Sequence, residues 1–150
     1  MPVVNAVRSL TVEEYVAGLP AEEQEVARHV LLGGFNKHGK PVGFHHAPNG
    51  LAPPGRRIDR IMKRYPDGSY LARVSMWHEH RGWVPKPGRH TMFPDTWTSE
   101  QVVEAGKQAY QSRVNKVVLR WRSESKGMKI GGYRRADGRG VATFFPDLER

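Results

Sequence analysis

The stretch His29–Pro48, HVLLGGFNKHGKPVGFHHAP, holds four of the chain's seven histidines and separates two kinds of sequence. It opens on an apolar run, His29-Val30-Leu31-Leu32, then breaks at Gly33-Gly34, Gly39, Pro41 and Gly43. Glycine and proline at this density specify turns and close backbone approach, and they end a helix entering from upstream. Histidines on a loop between anchored segments are placed for chemistry, because binding and catalytic groups concentrate on such loops. An unperturbed pKa of about 6.5 lets them give and take protons near neutrality. A single histidine is more often a surface or satisfied core residue, so the spacing and the neighbouring residues must decide.

Upstream, residues 9–28 read as helical. Thr11 and Glu14 fit a capping box. Pro20 interrupts, and it can open a second helix from Ala21 to about Leu32, with Glu22 and Glu23 at its positive end. Val26, Val30 and Leu31 would form the buried side, which puts His29 near the last turn.

Downstream the pattern becomes that of strands. Residues 47–57 are a loop by composition, in which Arg56 and Arg57 either reach phosphate or sit in a solvated turn. Ile58–Tyr65 and Ser69–Trp77 read as a hairpin about Pro66-Asp67-Gly68. In its second strand Tyr70, Ala72, Val74 and Met76 alternate with Leu71, Arg73, Ser75 and Trp77. His78-Glu79-His80 is a polar hairpin tip or a pair of metal ligands on one face, but no third ligand stands at a telling spacing. Thr98 and Gln101 cap a helix to about Ser112 with the stripe Val102, Val103, Ala105, Gly106, Ala109 and Tyr110. Lys116–Arg122, with Val117, Leu119 and Trp121 on one face, Lys129–Tyr133 and Val141–Phe145 read as the last strands. The order is that of an α+β fold, with N-terminal helices packed on twisted antiparallel sheet.

Composition narrows the partners. The net charge is +9, and it is uneven: residues 1–28 carry five glutamates against two arginines, and residues 29–150 carry 22 bases against 10 acids. A basic body points to a polyanionic ligand such as RNA, DNA or anionic lipid. Without cysteine there is no disulfide, zinc-thiolate site or cysteine nucleophile. No apolar run approaches the roughly 18 residues of a membrane span, and the N-terminus has no signal-peptide pattern.

His29-Val30-Leu31, followed sixteen residues after His29 by Gly43-Phe44-His45, resembles the two-histidine signature of the EndoU family, the uridylate-specific endoribonucleases. Lys86 matches the family's lysine, and Thr91-Met92-Phe93-Pro94 with Trp97 matches the bacterial form of the segment after it. The family's serine there falls on His90. Thr143-Phe144-Phe145-Pro146 is similar to the family's terminal Thr-x-Tyr-Pro, with phenylalanine for tyrosine. The resemblance runs from about residue 26 to 146.

It implies one domain over residues 1–150, a helical segment to residue 28 and a catalytic body from 29, in the group of small toxin ribonucleases that includes barnase- and colicin-like domains. It also implies cleavage of RNA through the ribose 2′-hydroxyl, leaving 2′,3′-cyclic phosphate and 5′-hydroxyl ends. His45 would be the base and His29 the acid, each worth roughly 10²–10⁴-fold, although spacing alone does not tell the two apart. Lys86 would stabilise the crowded phosphate, with no metal or cofactor. His90, Thr91, Thr143 and Phe145 would contact substrate, with Arg56 on a phosphate; His46, which an extended segment points away from His45, would support the site or contact substrate. The expected base preference is uridine or pyrimidine, looser than in relatives that keep the serine and tyrosine. The bacterial-type segment further implies a toxin delivered by a producing bacterium, acting on tRNA or other RNA in a target cell's cytoplasm and blocked by an acidic immunity protein. Two other readings stand beside this. A non-catalytic basic RNA-binding domain would explain the charge but leave His29, His45 and Lys86 unexplained. A metal-dependent His-Asn-His nuclease could open at His45-His46, but after Asn49 the next asparagine is Asn115, with no histidine behind it.

Overall fold

The computed structural model describes residues 10–148, so the part of the expected N-terminal helical segment up to Ser9 lies outside the described residues. Two helices come first, α1 (Val12–Ala17) and α2 (Ala21–Leu31). The capping box at α1 is formed: the Thr11 hydroxyl accepts the Glu14 amide, and the Glu14 carboxylate accepts the Thr11 amide. These bonds satisfy donors that the first turn of a helix leaves without intrahelical partners. Pro20 is the N-cap residue of α2, one position outside its first turn.

Strands β1 (Gly34–Phe35) and β2 (Pro41–Val42) make a short hairpin. Strands β3 (Arg56–Arg64), β4 (Tyr70–His78) and β5 (Gly82–Pro85) lie in that order in a second sheet. Strand β6 (His90–Met92) pairs with the other end of β4, on the same edge as β5. After α3 (Ser99–Gln111), strands β7 (Arg120–Ser125), β8 (Met128–Arg134) and β9 (Val141–Pro146) form a third sheet. All pairings are antiparallel, and the fold is α+β as the order of elements predicts.

Two apolar cores hold these pieces. In the first, Val30 and Leu31 of α2 and Val102, Ala105 and Ala109 of α3 pack with Trp121, Ile130 and Phe144 of the third sheet. Gly106 lets α3 approach closely, because a Cβ there would collide with the Phe144 ring. In the second, Phe44 and Met92 pack on Tyr70, Ala72, Val74 and Met76, the inner face of β4. Full burial of each large side chain is worth roughly 1.5–3 kcal/mol. The odd-numbered face of β4 instead leaves Arg73 and Trp77 exposed, as period-two alternation requires.

Several boundaries differ from the sequence expectation. β3 begins inside the expected loop, at Arg56, and the last helical segment is followed by coil to residue 119. There the Asn115 side-chain oxygen accepts the amides of Val117 and Val118, which turns the chain. Val117 and Leu119 are therefore exposed, and of the expected apolar face only Trp121 is buried. The short strands β1, β2, β5 and β6 were not expected, because glycine- and proline-rich pieces of two to four residues carry no readable period.

Candidate active site

The last turn of a helix leaves carbonyls without intrahelical partners. In α2 these carbonyls capture the returning chain. The His29 carbonyl accepts the Phe44 amide at 3.0 Å, and the Val30 carbonyl accepts the His45 amide at 2.6 Å. His45 is thereby stitched beside the helix end that carries His29. Gly43 permits the return: its φ is +77°, and a Cβ there would strike the His29 carbonyl. Arg56 completes the junction, donating from Nε to the Leu32 carbonyl at 2.7 Å and from Nη2 to the Gly33 carbonyl at 3.0 Å. Its remaining bond goes to the Pro54 carbonyl. The expected phosphate contact for Arg56 is thus replaced by a structural one, since its donors cap the end of α2 outside the cleft.

His29, His45, Lys86, His90, Thr91, Thr143 and Phe145 line one cleft of about 850 Å³. The His45 ring donates from Nδ1 to the Thr91 carbonyl at 2.7 Å, which leaves the lone pair on Nε2. His90 stacks on it, with ring centroids 4.4 Å apart and planes at 26°. His90 donates from Nε2 to the Phe44 carbonyl, and its Nδ1 accepts from Lys86 Nζ at 2.8 Å. Lys86 Nζ also donates to the Gly43 carbonyl at 3.1 Å. Both nitrogens of His90 are thus engaged within the protein, and the residue is only 2% exposed. It backs His45 and holds Lys86; the expected direct contact of its ring with substrate has no free nitrogen to make it. His46 takes the supporting alternative and makes no substrate contact. Its Nε2 donates to the Trp97 carbonyl at 2.8 Å, it is buried, and it does not line the cleft. Adjacent residues of an extended segment point to opposite sides, so His45 and His46 cannot share one pocket.

Burial sets the protonation states. It holds His45 well below the usual imidazole range, reinforced by His90, Lys86 and His29 and opposed by the bond to Thr91. His29 is lowered by burial and then by Lys86, with Glu25 opposing. Burial pushes Lys86 down to about 8, and burial with Lys86 pushes His90 down to about 3. His46 is lowered to about 4, chiefly by burial. Near neutral pH the cleft presents a neutral His45, an ammonium on Lys86, and His29 as its most readily protonated imidazole. Perturbations of this kind, in titratable groups lining one cleft, concentrate at functional sites.

The model of the bacterial EndoU nuclease family matches residues 23–148. The chain belongs to the bacterial EndoU nuclease family. It is therefore a nuclease, and the match runs from the first turn of α2 through β9 and so covers every strand of the described residues. Comparison with curated proteins returns no match.

Within this EndoU fold, β9 supplies the wall opposite the histidines. Thr143 and Phe145, two residues apart, face the cleft together. The Phe145 ring lies 5.7 Å from the His45 ring, and the buried Thr143 hydroxyl has no hydrogen-bond partner among the described residues. Sequence reasoning missed the next pair. The Arg120 guanidinium lies 5.1 Å from the Phe145 ring centre and 3.4 Å from the carboxylate of buried Asp147, and both residues line the cleft. The signal for it in the sequence was Gly131-Gly132 in mid-strand, which marks close approach: a Cβ on Gly131 would collide with the Arg120 guanidinium. His78 and His80 stand apart at the β4–β5 turn, where His80 donates its amide to His78 Nδ1 at 3.1 Å. Among the described residues no group of three or more His, Asp or Glu side chains is arranged to hold a metal ion.

Proposed function

We propose that this nuclease cuts RNA by attack of a ribose 2′-hydroxyl on the adjacent phosphate. The observation that carries the reading is the convergence of His29, His45 and Lys86 in one cleft, facing Thr143 and Phe145. His45 Nε2 takes the 2′-hydroxyl proton, and O2′ bonds to phosphorus. The bond from phosphorus to O5′ breaks, and the His29 imidazolium gives O5′ its proton. The Lys86 ammonium stabilises the charge on the phosphoryl oxygens, an electrostatic contribution that is strong in a site shielded from water. A bound phosphate favours protonation of His29 because it offsets the repulsion from Lys86. The products are a 2′,3′-cyclic phosphate and a 5′-hydroxyl.

Phe145 supplies a ring face for stacking, and Thr143 lines the wall beside it. A pyrimidine, uridine foremost, is the preferred base. Its preference is looser than in relatives with serine and tyrosine, because His90 is occupied internally and Phe145 has no hydroxyl. The reading extends to a toxin domain that reaches a target cell's cytoplasm, cuts tRNA or another RNA, and is held in check by an acidic immunity protein. The excess of cations in residues 29–150 supports such a partner.

The test is the chemistry of the cut ends with and without chelator. Cyclic-phosphate ends formed in EDTA, and resistance of a substrate with 2′-deoxyribose at the scissile position, are expected. Cleavage of the deoxy substrate at an undiminished rate would refute the mechanism.

A further inference from the structure

One face of the four-stranded sheet is exposed over most of its length, although Leu71 and Ser75 on it are buried. Cross-strand partners share a face, so the registers Lys63↔Leu71, Arg60↔Arg73 and Arg57↔Ser75 on β3 and β4, and Trp77↔Trp83 on β4 and β5, place these residues together. The other face of β4 is the apolar core. On the first face Arg57, Arg60, Lys63 and Arg73 are exposed, and Trp77 and Trp83 are 51% and 38% exposed. The two indoles meet edge to face at 5.6 Å, and the Arg57 guanidinium lies 4.4 Å from the Trp83 ring centre. The carboxylate on this face, Asp59, is already engaged: it accepts Arg57 at 2.6 Å and the Ser75 hydroxyl at 2.5 Å.

This face is continuous with the cleft. Leu71 and its partner Thr91 on β6 both line the cleft. From Leu71 the face runs past Arg73 and Ser75 to Trp77, six residues along β4, or about 20 Å at the usual strand rise.

We propose that this face is a second binding site, a track for the single strand that extends beyond the scissile phosphate, ending on the Trp77–Trp83 platform. The inference rests on the RNA-cleaving reading of the cleft. Cations spaced along strands meet successive phosphates, and exposed indoles stack on unpaired bases without regard to sequence. A duplex hides its base faces from such a platform, so the occupant is single-stranded. Four cations around two aromatic rings suit a polyanion with planar bases better than an apolar protein surface.

The experiment compares the wild type with two double variants, Trp77→Ala with Trp83→Ala and Arg60→Ala with Arg73→Ala. Cleavage is measured on a dinucleotide and on a long unstructured RNA, and binding of a 2′-O-methyl strand, which cannot be cut, is followed by anisotropy. Dinucleotide cleavage is expected to be unchanged, which also reports intact folding. On the long RNA the tryptophan variant should lose about tenfold in kcat/KM, with a matching loss of affinity for the 2′-O-methyl strand. The arginine variant should show a shallower salt dependence of binding, by roughly 0.7 in log–log slope for each phosphate it no longer neutralises. Equal loss on both substrates, or unchanged handling of the long strand, overturns the track. If the wild type fails to cut the dinucleotide, the cleavage reading falls, while unchanged affinity of both variants for the 2′-O-methyl strand would still overturn the track. A wild-type dimer that the tryptophan substitutions dissociate, with RNA affinity intact, would reassign the face to a copy of this chain and overturn it as well.

Discussion

Two histidine pairs on this molecule look alike in outline and differ in every respect that matters for proton transfer. His45 and His90 face each other at 4.4 Å in the cleft; His78 and His80 lie 5.8 Å apart at the β4–β5 turn. Each cleft ring is held by a distant backbone carbonyl, Thr91 for His45 and Phe44 for His90. In the turn pair His78 accepts the His80 amide and its ring meets Phe35 edge to face, while the His80 side chain is 80% exposed beside Glu79. Burial makes the cleft rings neutral and the backbone carbonyls fix which nitrogen carries the proton, whereas the turn pair lies at the surface. Histidines near one another are thus insufficient for the proposed chemistry. A dry wall, a fixed tautomer and a neighbouring lysine distinguish the cleft.

The sharpest way to break that contrast is substitution. His45→Ala, His29→Ala and Lys86→Ala should each lower kcat/KM by about 10²–10⁴-fold with circular dichroism unchanged. His78→Ala and His80→Ala should leave the rate as it is. Equal damage from the turn pair would move the site to the hairpin.

The next largest effect belongs to His90, a positioning residue. Removing the hydrogen bond it accepts from the Lys86 ammonium should cost roughly ten- to a hundredfold in kcat. The pH profile separates this from simple packing damage. His45 must be neutral to act as base, so activity falls on the acid side only below the ordinary imidazole range. His29 must be protonated to act as acid, so kcat/KM falls on the alkaline side first through its lowered pKa, and falls further as Lys86 loses its charge at about 8. His90→Ala admits water, which should move His45 and Lys86 back toward their ordinary values and so shift the acid limb of kcat/KM and the Lys86 step upward. A lower rate with unmoved limbs would reduce His90 to a core residue.

Phe145 carries the smallest of these effects. Stacking is worth roughly 1–3 kcal/mol per base, and a neutral hydrogen bond about 0.5–1.5 kcal/mol. Phe145→Ala should therefore cut activity about tenfold or more, whereas Phe145→Tyr should change the rate little. A cleavage-site map on mixed-sequence RNA tests both. An unchanged rate and map for Phe145→Ala would remove that ring from the base-binding wall.

The sequence by itself determined the elements whose causes are local. Thr11 with Glu14 and Thr98 with Gln101 mark helix starts through partners three residues away. The alternation from Tyr70 to Trp77 marks a strand with one buried face, and the glycines and proline between Leu32 and Phe44 mark a helix end followed by turns. Only the tertiary structure decided what those residues do. Arg56 caps α2 from 24 residues away, and His90 reaches the Phe44 carbonyl across 46. His46 turns from the cleft toward Trp97, and Arg120 finds Asp147. The physical reason is range. Caps and periodicity depend on neighbours within a turn or two, whereas desolvation, Coulomb interaction and the partner of a buried polar group depend on whatever the fold brings alongside, however distant along the chain.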